Sequence, residues 1–131
     1  MLGLQPAKGL LDVLGSNSVD ISSVLLSTNI EKLSILPCGT RHDRATELLE
    51  SDAMIQLLQD ISIRYPDRIV VFDSPPLLLT TEARVLATHM GQIVMVVQAG
   101  NTTQAAVNEA LATVDACPVK MMVLNQARQS A

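Results

Sequence analysis

At 131 residues the chain is long enough for one compact domain, and 48% hydrophobic against 17% charged residues excludes a disordered protein. The net charge of −4, without any cluster of Lys and Arg, argues against a nucleic-acid-binding surface. Tyr65 and Phe72 are the only aromatic residues, so the core must be aliphatic, as in a parallel sheet buried beneath helices.

Four elements are predicted in the first half of the chain, from hydrophobic spacing and from residues that begin and end helices. They are helices over 7–14, 20–26 and 46–64 and a short strand over 33–36. Gly15 is placed to end the first helix through a left-handed turn, and Asp20 to cap the second. Ser51 is a candidate cap inside the third helical region, which we therefore expect to break there.

The second half of the chain alternates predicted strands and helices. The elements are strands over 68–72, 93–97 and 119–124, a helix over 80–90, and a helix that follows the candidate caps Asn101 and Thr102. Such alternation is typical of βαβ units and of a parallel sheet. The run at 69–72 has no polar residue, which predicts a strand buried on both faces. We therefore predict one α/β domain over 1–131.

The predicted core consists of helical stripes and packed cysteines. The stripes have i, i+3, i+4, i+7 spacing and consist of Met54, Leu57, Leu58 and Ile61, and of Val107, Ala110, Leu111 and Val114. Cys38 and Cys117 lack the spacing of zinc ligands. The residues leave a disulfide open, but because the sequence shows no signal-peptide pattern we expect two reduced, packing cysteines in a cytoplasmic protein.

Asp73 is the strongest candidate for chemistry. It follows the predicted strand 68–72, and ligands of parallel sheets collect at the carboxyl ends of the strands. A carboxylate there suits a hydrated magnesium ion, and Ser74 adds a hydroxyl beside it. Pro75 and Pro76 then turn the chain away from the sheet. Alternatively, Asp73 only ends the strand by accepting hydrogen bonds from nearby backbone N–H groups, and the residues alone leave both interpretations open.

The run Ile-Val-Val-Phe-Asp-Ser-Pro-Pro at 69–76 resembles the Walker B segment of bacterial tyrosine kinases of capsule and exopolysaccharide export. The segments 36–39, 46–51, 91–102 and 123–126 resemble further parts of that family in the same order. The tyrosine autokinases encoded beside exosortase-linked exopolysaccharide loci resemble the chain most. The resemblance implies a parallel-sheet, three-layer α/β fold of the P-loop NTPase type, as in the MinD and ParA ATPases.

The resemblance also implies residue roles and cofactors. Asp73 corresponds to the catalytic Walker B aspartate that holds magnesium through water, and Ser74 lines the same pocket. Asn125 corresponds to the asparagine near the adenine base, although a strand-end asparagine that only bonds local backbone fits the residues equally well. Magnesium and ATP are the cofactors expected of the complete domain.

Two family motifs have no counterpart in the chain. No glycine-rich loop ends in Gly-Lys-Ser/Thr, and no acidic Asp-x-Asp-x-Arg strand occurs. We therefore expect a partial domain that lacks the Walker A strand and loop and begins just downstream of both motifs. Without the lysine and the loop amides, the triphosphate would lose its main partners, so we expect no kinase activity from this chain alone, and ATP and magnesium need not bind.

The partner and location follow from the same resemblance. A missing central strand leaves 69–72 with an unpaired apolar edge, which favours a homo-oligomer. The resemblance further implies a membrane polysaccharide co-polymerase or export protein as partner, and a cytoplasmic location peripheral to the inner membrane. Two alternative functions stay open: a non-enzymatic, degenerate ATPase-like module that regulates polysaccharide export, and a fragment of a MinD- or ParA-type ATPase.

Overall fold

A computed structural model describes residues 7–16 and 18–127. Its elements in chain order are α1 (Leu10–Gly15), α2 (Ile21–Val24), β1 (Leu26–Ser27), β2 (Ser34–Ile35), α3 (Ala45–Glu50), α4 (Asp52–Arg64), α5 (Thr81–Thr88), β3 (Gln92–Gln98), α6 (Gln104–Thr113) and β4 (Val119–Asn125). The chain divides into two compact units, Met1–Val70 and Val71–Ala131, and each is described by itself. One domain over the whole chain stays a prediction.

The start of α1 is held by the turn that follows β2. The backbone N–H groups of Leu10 and Leu11 donate to the carbonyl oxygens of Pro37 and Cys38, each at 2.9 Å. Gly9 lies so close to this turn that a Cβ atom there would overlap the Pro37 carbonyl oxygen. The helix therefore begins at Leu10, later than the predicted 7–14.

The end of α1 also differs from the prediction. Gly15 is the last helical residue, and the chain leaves through Ser16 in an extended conformation, with φ −146° and ψ 123°. The left-handed glycines of the described residues are Gly39 and Gly100 instead. The predicted left-handed turn at Gly15 is therefore wrong, because an extended residue rather than a tight cap carries the chain away.

Asp12 joins α1 to the same turn. One of its carboxylate oxygens accepts from the backbone N–H of Gly9 and from that of Thr40, both at 2.9 Å. These amides, Thr40 first, lower the pKa of the Asp12 carboxyl. Gly39, which directly precedes Thr40, has φ +96°, a conformation that glycine adopts without steric cost.

Asp20 caps α2 as predicted. Its carboxylate accepts from the backbone N–H of Ser22 at 2.8 Å, and the Arg64 guanidinium lies 3.1 Å from its second oxygen. These contacts, the Ser22 hydroxyl first among them, lower the pKa of Asp20 from 3.8 to about 2. Because Arg64 is the last residue of α4, the ion pair links two helices of the first unit.

The helical region 46–64 breaks at Ser51 as predicted, into α3 and α4. Ser51 has φ −73° and ψ 158°, and its hydroxyl donates back to the Leu48 carbonyl at 2.7 Å rather than capping α4. Of the predicted stripe, Met54, Leu57 and Ile61 are buried and Leu58 is half-buried. The break thus lets α3 and α4 each turn an apolar side inward.

The predicted strand 33–36 exists as the two-residue β2, but its partner is antiparallel. Leu26 pairs with Ile35 and Ser27 with Ser34. The short turn between the strands, with Lys32 at φ 65°, permits only an antiparallel return, since parallel strands need a long crossover. β1 occupies the end of the predicted helix 20–26, which stops at Val24.

The second unit contains the predicted parallel βαβ arrangement. β3 and β4 pair from Gln92 with Val119 to Gln98 with Asn125, and α6 connects them. Thr80 caps the preceding helix α5, since its hydroxyl accepts from the Ala83 N–H at 3.3 Å. The buried residues of this unit come from α5, α6 and the turn after α6: Ala83, Val85, Leu86, Ala110, Val114 and Cys117.

Two predictions at α6 and the cysteines need correction. Thr103 caps α6 by accepting from the Ala106 N–H at 3.2 Å, whereas Asn101 donates to the Gln98 side chain and Thr102 accepts from the Gln98 N–H. Thr103 takes this role because the preceding turn occupies both side chains. Both cysteines are unpaired, but only Cys117 is buried, and Cys38 is exposed on the turn beside Gly39.

The predicted strand 68–72 is not formed, and Ile69, Val70 and Val71 are exposed while Phe72 is half-buried. Ile69 is 92% exposed and Val71 is 83% exposed. Within the described part of the chain, no strand lies beside this run to accept and donate ladder hydrogen bonds. A parallel strand needs such a neighbour, so an apolar run without one stays unpaired.

We expect Gly9→Ala to destabilise the first unit, because its Cβ would overlap the Pro37 carbonyl and push the turn away from α1. The loss should be about 1–3 kcal/mol, measured by chemical denaturation. Gly91→Ala is the matched control, since a Cβ there meets nothing within 4 Å. Equal stability of the two variants would show that the turn moves freely.

We expect the Asp20 ion pair and cap to make stability depend on pH below 4. Because folding depresses the pKa of Asp20 from 3.8 to about 2, its contribution is fully present above 3.8 and is lost as pH falls towards 2. In Asp20→Asn, the thermal melting temperature should therefore depend less on pH between 3.8 and about 2. Glu31→Gln, in the exposed turn between β1 and β2, is the control, and the same weaker dependence there would contradict the assignment.

Candidate functional site

Asp73 lies on the unpaired run, just after its apolar residues. Its side chain is exposed, and within the described residues it takes part in no hydrogen bond or ion pair. It therefore does not accept hydrogen bonds from neighbouring backbone N–H groups, contrary to the alternative considered for it. A carboxylate in this state is free to bind a cation or a ligand.

The residues after Asp73 lead directly into α5. The Ser74 hydroxyl donates to the Pro75 carbonyl at 3.2 Å. The Leu79 N–H then donates to the Pro76 carbonyl at 3.0 Å, which closes a turn just before the helix cap Thr80. Asp73 and Ser74 thus stand at the entry to a capped helix, on a segment whose exit path is fixed by two prolines.

Asn125 ends β4 at the carboxyl edge of the two-stranded sheet. Its side-chain oxygen accepts from the Gln126 N–H at 2.9 Å, and its main-chain carbonyl accepts from the Ala99 N–H at 2.9 Å. Gln126 has φ 58°, so the strand stops there with a left-handed residue. The structure therefore supports the local-backbone role of Asn125, and the adenine contact stays a prediction.

These residues supply only part of a magnesium site. Among residues 7–16 and 18–127 no three carboxylate, imidazole or thiol groups come together as metal ligands. No hydrogen bond joins Asp73 or Ser74 to Asn125 in that part of the chain. Magnesium takes about six oxygen ligands, and one carboxylate with one hydroxyl does not complete that shell.

An open pocket of the first unit was not predicted from the sequence. It has a volume of about 280 Å³, and its polar lining includes Lys8, Asp12, Thr40 and His42. The Asp12 charge is already matched by two backbone amides, so Asp12 acts as a structural clamp. The clues in the sequence were the glycines at 9 and 39, which mark a close approach of two backbones.

Several curated proteins are similar to almost the whole chain, while no family model matches it. Tyrosine-protein kinase Wzc of Salmonella typhi is 31% identical over 127 residues, which cover 95% of this chain and 17% of that protein. Tyrosine-protein kinase CpsD of Streptococcus agalactiae is 26% identical over 125 residues, which cover 94% of this chain and 53% of that protein.

The solved kinase domain of VpsO has the same fold. It superposes with a TM-score of 0.80 at 25% identity, over 93% of this chain and 60% of its own. The chain is a partial member of the bacterial tyrosine kinase family. This bacterial tyrosine kinase segment spans about half the length of CpsD and about a sixth of Wzc. The family and the α/β parallel-sheet fold implied by the run 69–76 are thereby confirmed.

We expect limited proteolysis with elastase, which cuts after small aliphatic residues, to cleave this segment first within Ile69–Val71 among the described residues. A protease needs an extended chain without ladder hydrogen bonds, and this run has that property. The equally apolar Val123 and Leu124 are the internal control, because β4 pairs them with β3. Faster cleavage in β4, located by mass spectrometry, would contradict the arrangement.

Proposed function

We propose that this chain supplies the Walker B side of a tyrosine autokinase domain for capsule or exopolysaccharide biosynthesis, and that alone it phosphorylates no tyrosine. The observation that carries the proposal is similarity to tyrosine kinases over 94–95% of the chain, joined to a free Asp73 carboxylate within Asp-Ser-Pro-Pro. Within the family, we propose the exosortase-linked type on the sequence resemblance.

We propose three site residues for the complete domain. Asp73 would hold magnesium through water, and its exposed carboxylate supports this role because nothing described competes for it. Ser74 would line the same pocket, and Asn125 would approach the adenine base from the carboxyl edge of the sheet. The ATP phosphates would complete the magnesium shell, since such sites depend on substrate oxygens.

We propose that the chain alone has no kinase activity because it lacks the positive charge that surrounds the phosphates of ATP. Phosphoryl transfer depends on cations and backbone amides that surround the phosphates, and no glycine-rich lysine loop occurs in these 131 residues. Lys120, the cation of β4, is the second residue of that strand, and its ammonium donates to the Cys117 carbonyl at 2.8 Å. It thus lies at the amino edge of the sheet, at the other end of β4 from Asn125.

The partner and location are proposed for the protein as a whole. We propose that it acts in the cytoplasm, at the inner membrane, together with a membrane polysaccharide co-polymerase or export protein. Among the described residues, no helix combines the length and the hydrophobicity needed to cross a bilayer.

A non-enzymatic module that regulates polysaccharide export is the second candidate function. The observation that favours it is the incomplete set of metal ligands among the described residues. Nucleotide binding separates the two candidates, because the regulatory module would need neither magnesium nor Asp73.

The test combines a kinase assay with a binding titration. Incubation of the chain with ATP and magnesium should yield no phosphotyrosine, because the phosphate partners are missing. In calorimetric titration with ADP and magnesium, any magnesium-dependent binding should disappear in Asp73→Ala. Asp67→Ala removes an exposed carboxylate six residues earlier and is the control. A robust phosphotyrosine signal would overturn the inactivity, and binding unchanged in Asp73→Ala would overturn the proposed role of Asp73.

A further inference from the structure

The pocket of the first unit has an apolar side that suits an aromatic ring. The apolar part of its lining includes Leu11, Gly15 and Val19, and its volume is about 280 Å³. An apolar cavity of about 150 Å³ holds one benzene molecule, so this volume leaves room for a ring that carries a further group. Gly15 has no side chain to fill that space, and a Cβ added there would meet only the Leu48 side chain, at 3.8 Å.

The polar part of the same lining supplies hydrogen-bond donors. Among the described residues, the Lys8 ammonium makes no hydrogen bond and no ion pair. The His42 imidazole accepts from the Arg44 backbone N–H at 3.1 Å through Nδ1, so the neutral ring carries its proton on Nε2, which is available to donate. The hydroxyl groups of Ser16 and Ser18, 2.7 Å apart, add two further polar groups. One pocket thus offers an ammonium, an imidazole N–H and hydroxyls.

Asp12 contributes a carboxylate to this lining, but its charge is already balanced in part. One of its oxygens accepts from the backbone N–H groups of Gly9 and Thr40, each at 2.9 Å. Since these amides compensate Asp12 and no described carboxylate pairs with Lys8, the polar side of the pocket favours an anion. A phosphate monoester carries nearly two negative charges at neutral pH and three strong acceptor oxygens, which match an ammonium and an imidazole N–H.

We propose that this pocket binds an aryl phosphate, the group that the side chain of phosphotyrosine carries. The ring lies against the apolar lining, and the phosphate oxygens accept from Lys8 and His42. Binding of an aryl phosphate is independent of the function proposed above, because the pocket belongs to the first unit whereas Asp73, Ser74 and Asn125 belong to the second. The choice of phosphotyrosine as its source rests on the proposed function, since a tyrosine kinase produces that group.

The test titrates the full chain with phenyl phosphate and follows the backbone amide signals by NMR. We expect a dissociation constant at or below about 1 mM, with the largest changes in chemical shift at Leu11, Gly15 and Thr40. Phenol lacks the charge and inorganic phosphate lacks the ring. Each should therefore bind at least about tenfold more weakly than phenyl phosphate, because each makes contact with only one part of the lining.

Two variants and a control test the charge of the pocket. Lys8→Met removes the ammonium from an exposed side chain and should weaken phenyl phosphate binding about fivefold. Lys32→Met removes an exposed lysine that does not line the pocket, so it is the matched control and should bind like the native chain. Asp12→Asn keeps an oxygen acceptor for the two amides and removes a negative charge, so it should tighten the binding of this anion.

Several results would overturn the proposed pocket ligand. They are absence of phenyl phosphate binding, equal affinity for phenol or for inorganic phosphate, and unchanged affinity in Lys8→Met. Weaker binding in Asp12→Asn, with its fold intact by circular dichroism, would also overturn it, because the pocket would then prefer a cation.

Two further measurements separate the source of the ligand and the two proposed sites. A tripeptide with a central phosphotyrosine should bind as tightly as phenyl phosphate, and failure of the peptide alone would overturn phosphotyrosine as the source. Phenyl phosphate binding should persist in Asp73→Ala, and its loss there would overturn the pocket as the binding site. Phenyl phosphate binding by a chain that binds no ADP with magnesium supports the pocket and counts against the proposed function.

Discussion

A strand satisfies its backbone only through a neighbour, and this constraint governs the second unit. β3 and β4 are such neighbours, and they pair with each other over seven residue pairs. The run that carries Asp73 does not meet it, because no described strand lies beside Ile69 or Val71. Asp73, the strongest candidate for chemistry, therefore lies on a segment that makes no ladder hydrogen bonds among the described residues.

The elements that could be predicted from the sequence are those decided by neighbouring residues. The Asp20 and Thr80 caps join a side chain to a backbone N–H two or three positions away, and at the break the Ser51 hydroxyl donates to the Leu48 carbonyl three positions back. The βαβ unit was predictable because β3 and β4 follow one another around a single helix. β1 was missed, since a two-residue strand carries no periodic signal and exists only by pairing with β2.

The missing central strand led us to expect an unpaired edge at 69–72, but not that the strand itself would fail to form, because an apolar sequence reports what a segment is suited to contact and not what lies beside it. The same limit applies to the site. Residue types identified Asp73, Ser74 and Asn125 as candidates at strand ends, but their mutual geometry depends on the whole sheet. The side-chain bond of Asn125 to Gln126 N–H is local, and this was one of two interpretations open from the residues.

The clamp formed by Asp12 has a consequence for how such sequences can diverge. One carboxylate oxygen holds the amides of Gly9 and Thr40, while Gly9 leaves no room for a side chain against the Pro37 carbonyl. Gly39 supplies the left-handed backbone that brings these groups together. Replacement of Gly9, Asp12 or Gly39 alone would disrupt the contacts of the other two, so substitutions at these positions should occur together. We therefore expect related sequences to change together at these three positions.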